Sequence, residues 1–139
     1  MSEIIVLDTH IWFWLISEDW HKFPASWREE IASAERVGVS PISCYEIVLA
    51  QEKGRLELPC AADEWFREAL EPSGICLLPL TPEVSCKAVS LSPVHKDPFD
   101  RLIIATALVC EARLASVDSL FPLYPEIGDR LLFSESENR

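Results

Sequence analysis

The sequence predicts an α/β domain in which helices cover both faces of a mainly parallel central sheet, an α/β/α sandwich. Short, wholly apolar runs alternate along the chain with longer segments of helical length. The run Ile4–Leu7 is rich in β-branched residues and has no polar position, which is typical of a strand buried on both faces of a parallel sheet. At 139 residues the chain suits one domain. We expect that domain to span residues 1–133 and a disordered tail to follow at residues 134–139.

Local signals predict the elements in the first half of the chain. The expected elements are a strand at Ile4–Leu7, helices at about His10–Ser17 and Ser26–Glu35, a strand at Val37–Ser40, and a helix from Ser43 to about Lys53. Pro41 ends the second strand because proline has no N–H for a strand hydrogen bond. Gly54 ends the third helix because glycine readily adopts the left-handed conformation of a helix C-terminus.

The second half of the chain continues the alternation. The expected elements are a helix at Ala61–Leu70, a strand at Cys76–Leu80, helices from Pro82 to about Leu91 and from Pro98 to about Glu111, and strands at Leu114–Val117 and Leu131–Phe133. Thr81 and Asp97 each precede a proline, which is the usual pairing of a capping residue with a first helical residue. Strands that alternate with helices predict right-handed crossovers. Ligands of such sheets bind beyond the carboxyl ends of the strands.

The composition excludes several classes of function. A net charge of −11 argues against a protein that coats DNA or an anionic membrane, so any nucleic acid must be bound locally. The longest apolar runs, such as Ile11–Ile16, are far shorter than the ~20 residues of a membrane helix, and Met1–Glu3 lacks a basic signal-peptide start. We expect a cytoplasmic protein with no membrane association. The five cysteines are scattered without zinc-site spacing and are expected to be small buried hydrophobic residues.

Four acids occupy junctions between the predicted elements. Asp8 and Asp118 each follow a strand, and Glu46 and Asp100 each lie in the first turn of a helix. Because the carboxyl ends of parallel strands meet at one edge of a sheet, these carboxylates can converge. Converging carboxylates repel one another unless a cation or protons compensate. Oxygen ligands without histidine or cysteine suit Mg²⁺ or Mn²⁺.

Each acid also has a purely structural interpretation as a helix cap. Ser43 and Glu46 have the spacing of a capping box, and Asp97 with Asp100 resembles one. An acidic first turn offsets the helix dipole, and the two acids that end strands can cap whichever helix follows. Spacing alone therefore leaves both interpretations open.

Four segments of the chain carry a family resemblance. They are Leu7–His10 with the apolar helix Ile11–Leu15, Ser40–Ile47, His95–Ala107 and Leu114–Asp118. In this order they resemble the motifs of the PIN-domain family, in its VapC toxin-like branch, and the third segment is the most recognisable. The resemblance extends from Ile4 to about Leu132. Ser116 stands where members of that branch usually carry a threonine nearer the acid.

The resemblance implies a single PIN-like domain that acts as a Mg²⁺- or Mn²⁺-dependent endoribonuclease, the toxin of a type II toxin–antitoxin pair. It assigns the catalytic, metal-binding role to Asp8, Glu46, Asp100 and Asp118. Of these, Asp8 and Asp100 would hold the principal ion, and the other two would complete its shell or position water. Asp97 is a possible additional acid that either caps the helix, pairs with Arg101 or joins the site. The expected partners are an RNA substrate, a cognate antitoxin and a second copy of the chain in a homodimer.

Other polar and aromatic residues have weaker functional interpretations. Four cations are candidate RNA contacts, although each can equally be a surface charge. They are Arg101, Lys96, Lys53 and Arg55. The histidines His10, His21 and His95 are left out of the catalytic set, because metal-dependent hydrolysis does not require them and loop or packing hydrogen bonds explain them. Trp12 lies in an apolar helix, which favours core packing over base stacking.

Other classes of function compete with this hypothesis. A receiver-like phosphoacceptor domain also binds Mg²⁺ at this edge of a sheet, but it requires an acidic pair after the first strand and a lysine after a late strand. Here Thr9 and His10 follow Asp8, and no lysine follows Asp118. A phosphatase with an aspartyl nucleophile requires a second aspartate where His10 stands. A catalytically silent PIN-like module would bind RNA or protein without cutting, and an RNA cleavage assay with Mg²⁺ and then EDTA distinguishes it.

Overall fold

A four-stranded parallel sheet forms the centre of the domain. The computed structural model describes residues 3–133, so the predicted tail at residues 134–139 lies outside the described residues. The strands, in the sheet order β3-β2-β1-β4, are β1 (Ile4–Leu7), β2 (Arg36–Val39), β3 (Ile75–Leu77) and β4 (Arg113–Ala115). Val6 of β1 pairs with Gly38 on one side and with Leu114 on the other. The residue that follows β1 therefore lies at the middle of the sheet's carboxyl edge.

Six α-helices in the described residues connect and cover the strands. They are α1 (Thr9–Ser17), α2 (Ser26–Ser33), α3 (Pro41–Glu52), α4 (Ala62–Ala69), α5 (Pro82–Ser90) and α6 (Pro98–Val109). The side chains of Ser40, Thr81 and Asp97 accept a backbone N–H from the first turn of α3, α5 and α6 at 3.1, 3.2 and 2.9 Å. These bonds satisfy donors that every helix start leaves unpaired. None of the helices in the described part is long and apolar enough to cross a membrane.

The hydrophobic core lies on both faces of the sheet, because successive strand side chains point to opposite faces. Ile5 and Leu7 belong to a cluster built with α1, α2, α3 and α4. Val6 belongs to a second cluster, built with α6 and with the turns at residues 121–127. α5 packs against α6 on its outer side. Helices cover both faces, so the predicted α/β/α sandwich is confirmed.

Trp12 is a core residue. Its ring centroid lies 5.1 Å from that of Trp65 and 6.0 Å from that of Phe66. Its indole N–H donates to the carbonyl oxygen of Ala69 at 2.9 Å, so the buried polar atom has a partner. The side chain is fully buried. The prediction of core packing is confirmed, and base stacking at this position is excluded.

The start of α3 differs from the prediction. The helix begins at Pro41 and not at Ser43, and Ser40 is its cap. Glu46 therefore lies in the second turn, and the predicted capping box of Ser43 with Glu46 does not form. The physical reason is that Pro41 lacks a backbone N–H. This absence interrupts a strand, but the first turn of a helix has no partner for that N–H and therefore tolerates proline.

Two strands are shorter than predicted, and a third predicted strand is reduced to a bridge. β3 does not reach Leu80, because Pro79 has no N–H with which to continue the ladder. β4 ends two residues before Val117, because the hydroxyl of Ser116 accepts a backbone N–H two residues further on and turns the chain. Residues 131–133 make a single bridge to β4 instead of a strand.

The cysteines are more exposed than predicted. All five lie within the described residues as free thiols; Cys86 is exposed and the others are half-buried. Burial raises the pKa of Cys44 and Cys110. A raised pKa lowers the fraction of reactive thiolate, so neither thiol has the environment of a nucleophile.

We expect Gly38→Ala to lower the free energy of unfolding by about 1–3 kcal/mol, the range found for overpacked cores. A Cβ added at Gly38 would lie 2.7 Å from Cγ of Leu78 and 3.0 Å from the carbonyl oxygen of Cys76. Leu78 is buried and Cys76 belongs to β3, so neither can give way without strain. Urea unfolding followed by circular dichroism measures the change.

Gly128→Ala is the matched control for this prediction. Nothing lies within 4 Å of a Cβ added there. If both variants were as stable as the parent protein, the close contact of β2 with the segment after β3 would be wrong.

Candidate active site

The carboxyl edge of the sheet gathers the acids that the sequence singled out. Asp8 directly follows β1, and Asp118 lies in the loop after β4. Glu46 lies on α3 and Asp100 in the first turn of α6. The charges of the other three acids and of Asp97 all raise the pKa of Asp100. The four predicted site acids and the possible additional acid therefore occupy one place in the fold.

Asp8 is held by two hydrogen bonds. Its Oδ1 accepts the backbone N–H of Thr9 at 2.9 Å, and its Oδ2 accepts the hydroxyl of Ser116 at 2.7 Å. Burial raises the pKa of Asp8, while the bonds from Ser116 and Thr9 oppose that rise and the charge of Asp118 adds to it. The carboxylate is fixed in orientation, but its charge is costly in this environment.

Ser116 links Asp8 to Asp118. Its hydroxyl donates to Asp8 and also accepts the backbone N–H of Asp118 at 3.1 Å. Asp118 then accepts the backbone N–H of Leu120 at 2.8 Å. Side-chain-to-backbone bonds of this kind turn a chain sharply. A serine at position 116 is therefore sufficient to keep both carboxylates at the same edge of the sheet.

Glu46 is oriented by a pair of hydroxyl groups. The Thr9 hydroxyl donates to its Oε1 at 2.6 Å and lies 2.8 Å from the hydroxyl of the buried Ser43. Because a hydroxyl has only one proton, Thr9 donates to Glu46 and accepts from Ser43. Burial raises the pKa of Glu46; the bond from Thr9 opposes the rise, and the charges of Asp8 and Asp97 add to it. These bonds join α1 to α3 at the site.

Asp100 has a strongly raised pKa. Burial raises its pKa from 3.8 to about 7, and the charges of Asp8, Asp97, Glu46 and Asp118 contribute in that order. The rise follows from desolvation together with like charges on several sides. At neutral pH this carboxyl group is close to its midpoint, so its charge depends on the burial and on the acids around it.

His95 contacts Asp100 as a hydrogen-bond donor. Its Nε2 lies 3.2 Å from Asp100 Oδ2, and its Nδ1 accepts the backbone N–H of Asp97 at 3.0 Å. An Nδ1 that accepts a hydrogen bond carries a lone pair, so the network assigns the proton to Nε2. The ligand atoms of His95, Asp100 and Asp118 lie within 4.8 Å of one another. With its proton on Nε2, however, His95 orients Asp100 and does not offer a lone pair to a metal.

Arg101 holds the loop that carries His95. Its guanidinium donates to the carbonyl oxygens of Leu91 at 2.7 Å, Ser92 at 2.9 Å and His95 at 3.1 Å. The Tyr124 hydroxyl donates to the same His95 carbonyl at 3.3 Å. These contacts occupy the guanidinium, and we assign Arg101 a structural role instead of the candidate RNA contact.

Asp97 is the cap of α6. Its Oδ1 accepts the backbone N–H of Phe99 at 2.9 Å. The expected pairing with Arg101 at i,i+4 does not form among the described residues. Of the alternatives for this acid, capping is confirmed, and its charge also acts on Asp100 and Glu46.

The remaining candidate lysines, arginine and histidines lie in three different places on the surface. Lys53 and Arg55 line a groove of about 630 Å³ that also includes Glu46 and the exposed His10. Lys96 lines a separate shallow depression between α5 and α6. His21 is exposed in the short turn at residues 20–22, outside both.

The donor set suits a hard divalent cation. Four carboxyl groups converge in partial burial, and in residues 3–133 no lysine or arginine forms an ion pair with any of them. The pKa of Asp8, Glu46 and Asp100 is raised in each case. Oxygen ligands of this charge bind Mg²⁺ or Mn²⁺, and a bound cation would offset the repulsion.

The residues that orient the acids were not found from the sequence. Thr9, Ser43, Ser116 and His95 each make a hydrogen bond that orients an acid or its partner. Thr9 and His95 had a local signal, since Thr9 stands beside Asp8 and His95 shortly precedes Asp97 and Asp100. Ser43 and Ser116 lie far along the chain from the groups they contact; Ser116, for example, is 108 residues from Asp8. Spacing patterns do not report such contacts.

Known proteins resemble this chain in sequence. The family model described as "PIN domain" matches residues 5–126. Ribonuclease VapC22 of Mycobacterium tuberculosis is 30% identical over 115 residues, which cover 82% of this chain and 86% of that protein.

Solved structures share its fold. VapBC2 from Rickettsia felis, crystallised with a promoter DNA fragment, has a chain that superposes with a TM-score of 0.66 at 18% identity, covering 93% of this chain and 97% of that one. A toxin–antitoxin complex from Klebsiella pneumoniae gives a TM-score of 0.63 at 19% identity, covering 93% and 96%. At these identities the likeness supports the fold, whereas the family model covers most of the chain. The chain belongs to the PIN domain family.

Proposed function

We propose that this protein is a divalent-cation-dependent endoribonuclease that serves as the toxin of a type II toxin–antitoxin pair. The observation that carries the proposal is the convergence of Asp8, Glu46, Asp100 and Asp118 without a paired lysine or arginine in the described residues. Its relative VapC22 is named a ribonuclease. Of the two similar solved structures, one is a toxin–antitoxin complex and the other is VapBC2 bound to promoter DNA.

The chain's own residues supply the ligand shell. Asp8 and Asp100 would hold the principal Mg²⁺ or Mn²⁺, while Glu46 and Asp118 would complete the shell or position water. When bound, the cation supplies positive charge to the scissile phosphate and lowers the pKa of the attacking water. Ser116 and Thr9 keep Asp8 in one orientation, and His95 engages Oδ2 of Asp100 and so orients that carboxyl group.

Regulation by a partner follows from the same site. The acids that attract a metal also attract a guanidinium or ammonium group from a bound antitoxin. Such a partner would block the phosphate position and displace the cation. We place the protein in the cytoplasm with its RNA substrate and its antitoxin, and the homodimer stays a prediction.

We expect Asp8→Asn to keep the fold and to lower RNA cleavage by at least about a hundredfold, the scale seen when one charge-stabilising group is removed from an active site. Asparagine preserves the shape of the side chain while it removes a ligand charge. Cleavage of a single-stranded RNA is measured with Mg²⁺, with Mn²⁺ and after EDTA.

Asp129→Asn is the control, because it removes one exposed acid away from the site. A parent protein that binds RNA but never cuts it with either metal would favour the catalytically silent module. Cleavage by Asp8→Asn at the rate of the parent protein would show that the site is wrong.

We expect Asp100→Asn to stabilise the metal-free protein at about pH 8 but not at about pH 4. The pKa of Asp100 is raised from 3.8 to about 7 in the folded state. The folded protein therefore binds more protons than the unfolded chain between these values, and the contribution of this group to stability falls as pH rises through that window. Asparagine removes the charge and still accepts the bond from His95. Thermal unfolding in EDTA should show a midpoint several degrees higher, about 3–5 °C for each kcal/mol.

The same measurement tests the cation. Mg²⁺ or Mn²⁺ should raise the midpoint of the parent protein at about pH 8 more than monovalent salt of equal ionic strength, because a ligand selective for the native state stabilises it. Asp129→Asn corrects for the change in net charge. Two results would show that the acids do not repel one another as described. One is an unfolding midpoint that responds equally to divalent and monovalent salt, and the other is an Asp100→Asn variant no more stable than Asp129→Asn.

A further inference from the structure

A groove leads away from the acids between α1 and α3. We call it the α1–α3 groove; it has a volume of about 630 Å³, and Thr9, Glu46 and Asp97 form its end at the acidic site. Lys53 and Arg55, at and just beyond the C-terminus of α3, line it farther along. Trp14 of α1 and Lys22 complete the opposite wall. A ligand that lies in this groove therefore reaches the acids directly.

The groove holds exposed cations in a strongly acidic protein. The chain has 12 lysines and arginines and a net charge of −11. Lys22, Lys53 and Arg55 are exposed and form no ion pair within residues 3–133, whereas Arg113 pairs with Glu3 and Glu30 on another side of the molecule. An anion that approaches the acids along the groove thus meets unpaired positive charge.

Aromatic rings lie beside these cations. Trp14 is half-buried, and its ring centroid lies 5.4 Å from that of the exposed His10. The ammonium group of Lys22 lies 5.9 Å from the centre of the Trp14 ring. A partly exposed indole next to a cation offers a face for a base and a charge for the adjoining phosphate.

The large hydrophobic side chains that are well exposed in the described residues do not lie in the groove. Examples are Tyr45, Val48 and Val89. Asp19 and Glu57 also line the groove, together with apolar side chains such as Leu56, so its walls are mixed in charge and in polarity. Exposed cations with an adjacent aromatic face match a single-stranded nucleic acid better than they match an amphipathic helix.

We infer that the α1–α3 groove binds the single-stranded RNA that flanks the cleaved bond. Lys53 and Arg55 contact phosphates, and Trp14 stacks on one base with Lys22 beside it. This inference rests on the proposed function, since it describes how an acidic nuclease holds a polyanion. The acids would hold the cation that offsets the charge of the scissile phosphate, and the groove supplies the affinity for the rest of the strand.

Salt dependence of binding tests the phosphate contacts. A fluorescent single-stranded RNA is titrated with protein carrying Asp8→Asn, which prevents cleavage, at several salt concentrations. The slope of log affinity against log salt is negative. Adding Lys53→Gln and Arg55→Gln together should reduce its magnitude by about 1.4, which is about 0.7 for each phosphate contact on a single strand. The control pair, Lys87→Gln with Arg130→Gln, removes the same charge away from the groove and should leave the slope unchanged.

Steady-state cleavage by proteins with Asp8 intact gives the second measurement. The Lys53→Gln/Arg55→Gln variant should show KM raised roughly tenfold with kcat within about twofold, because uniform binding of substrate and transition state is lost. The Mg²⁺-induced rise in thermal midpoint should not change. Trp14→Phe should remove part of the fluorescence quenching that RNA produces, since an indole stacked on a base is quenched.

The outcomes separate the groove from the proposed function. If the parent protein cuts RNA while the groove variant keeps its salt slope and KM, the groove inference is overturned and the nuclease stands. If the groove variant binds RNA normally but loses affinity for the antitoxin, the groove belongs to a protein partner and the inference is overturned as well. If the parent protein cuts no RNA yet the magnitude of the slope falls as expected, the groove inference holds and the nuclease does not.

Discussion

The mutual repulsion of carboxylates at the carboxyl edge of the sheet is the interaction to which the rest of the structure responds. Asp100 shows it most clearly, because burial and four neighbouring acids raise its pKa to about 7. A folded chain keeps such a group in place only if the surrounding structure is stable enough to offset the cost. Here that stability comes from the buried central strand β1, whose residues Ile5, Val6 and Leu7 are fully buried, and from the two hydrophobic clusters on its faces.

The groups around the acids orient them without neutralising them. Thr9, Ser116 and His95 are neutral donors, and each engages a carboxylate at 2.6 to 3.2 Å. A lysine or arginine in the same positions would have compensated the charge and reduced the affinity for a cation. Arg101 lies next to Asp100 in the sequence, yet it donates to backbone carbonyls of the loop at residues 91–95. The Arg101 guanidinium is thus used to hold the His95 loop and does not neutralise the site.

A protein with a net charge of −11 that acts on a polyanion faces an electrostatic conflict. Separating the two signs of charge resolves it. The acids are concentrated where a cation can bind, and Lys53 and Arg55 stand apart from them along the α1–α3 groove. Screening in physiological salt limits long-range repulsion to roughly 8 Å, so the local arrangement of charges decides what can bind.

The sequence by itself determined the parallel α/β architecture, the order of the elements and the identity of the acids that meet. These follow from local signals: apolar strands such as Ile4–Leu7, capping residues before prolines, and the four motifs around Asp8, Glu46, Asp100 and Asp118. Local signals failed at Pro41, where proline suits a helix start as well as a strand end. Only the tertiary structure decided that Ser116 orients Asp8 from 108 residues away and that Thr9 donates to Glu46 across 37 residues. Such contacts depend on how the strands are ordered in the sheet and how the helices pack on it. The spacing of residues along the chain does not show which distant side chains meet.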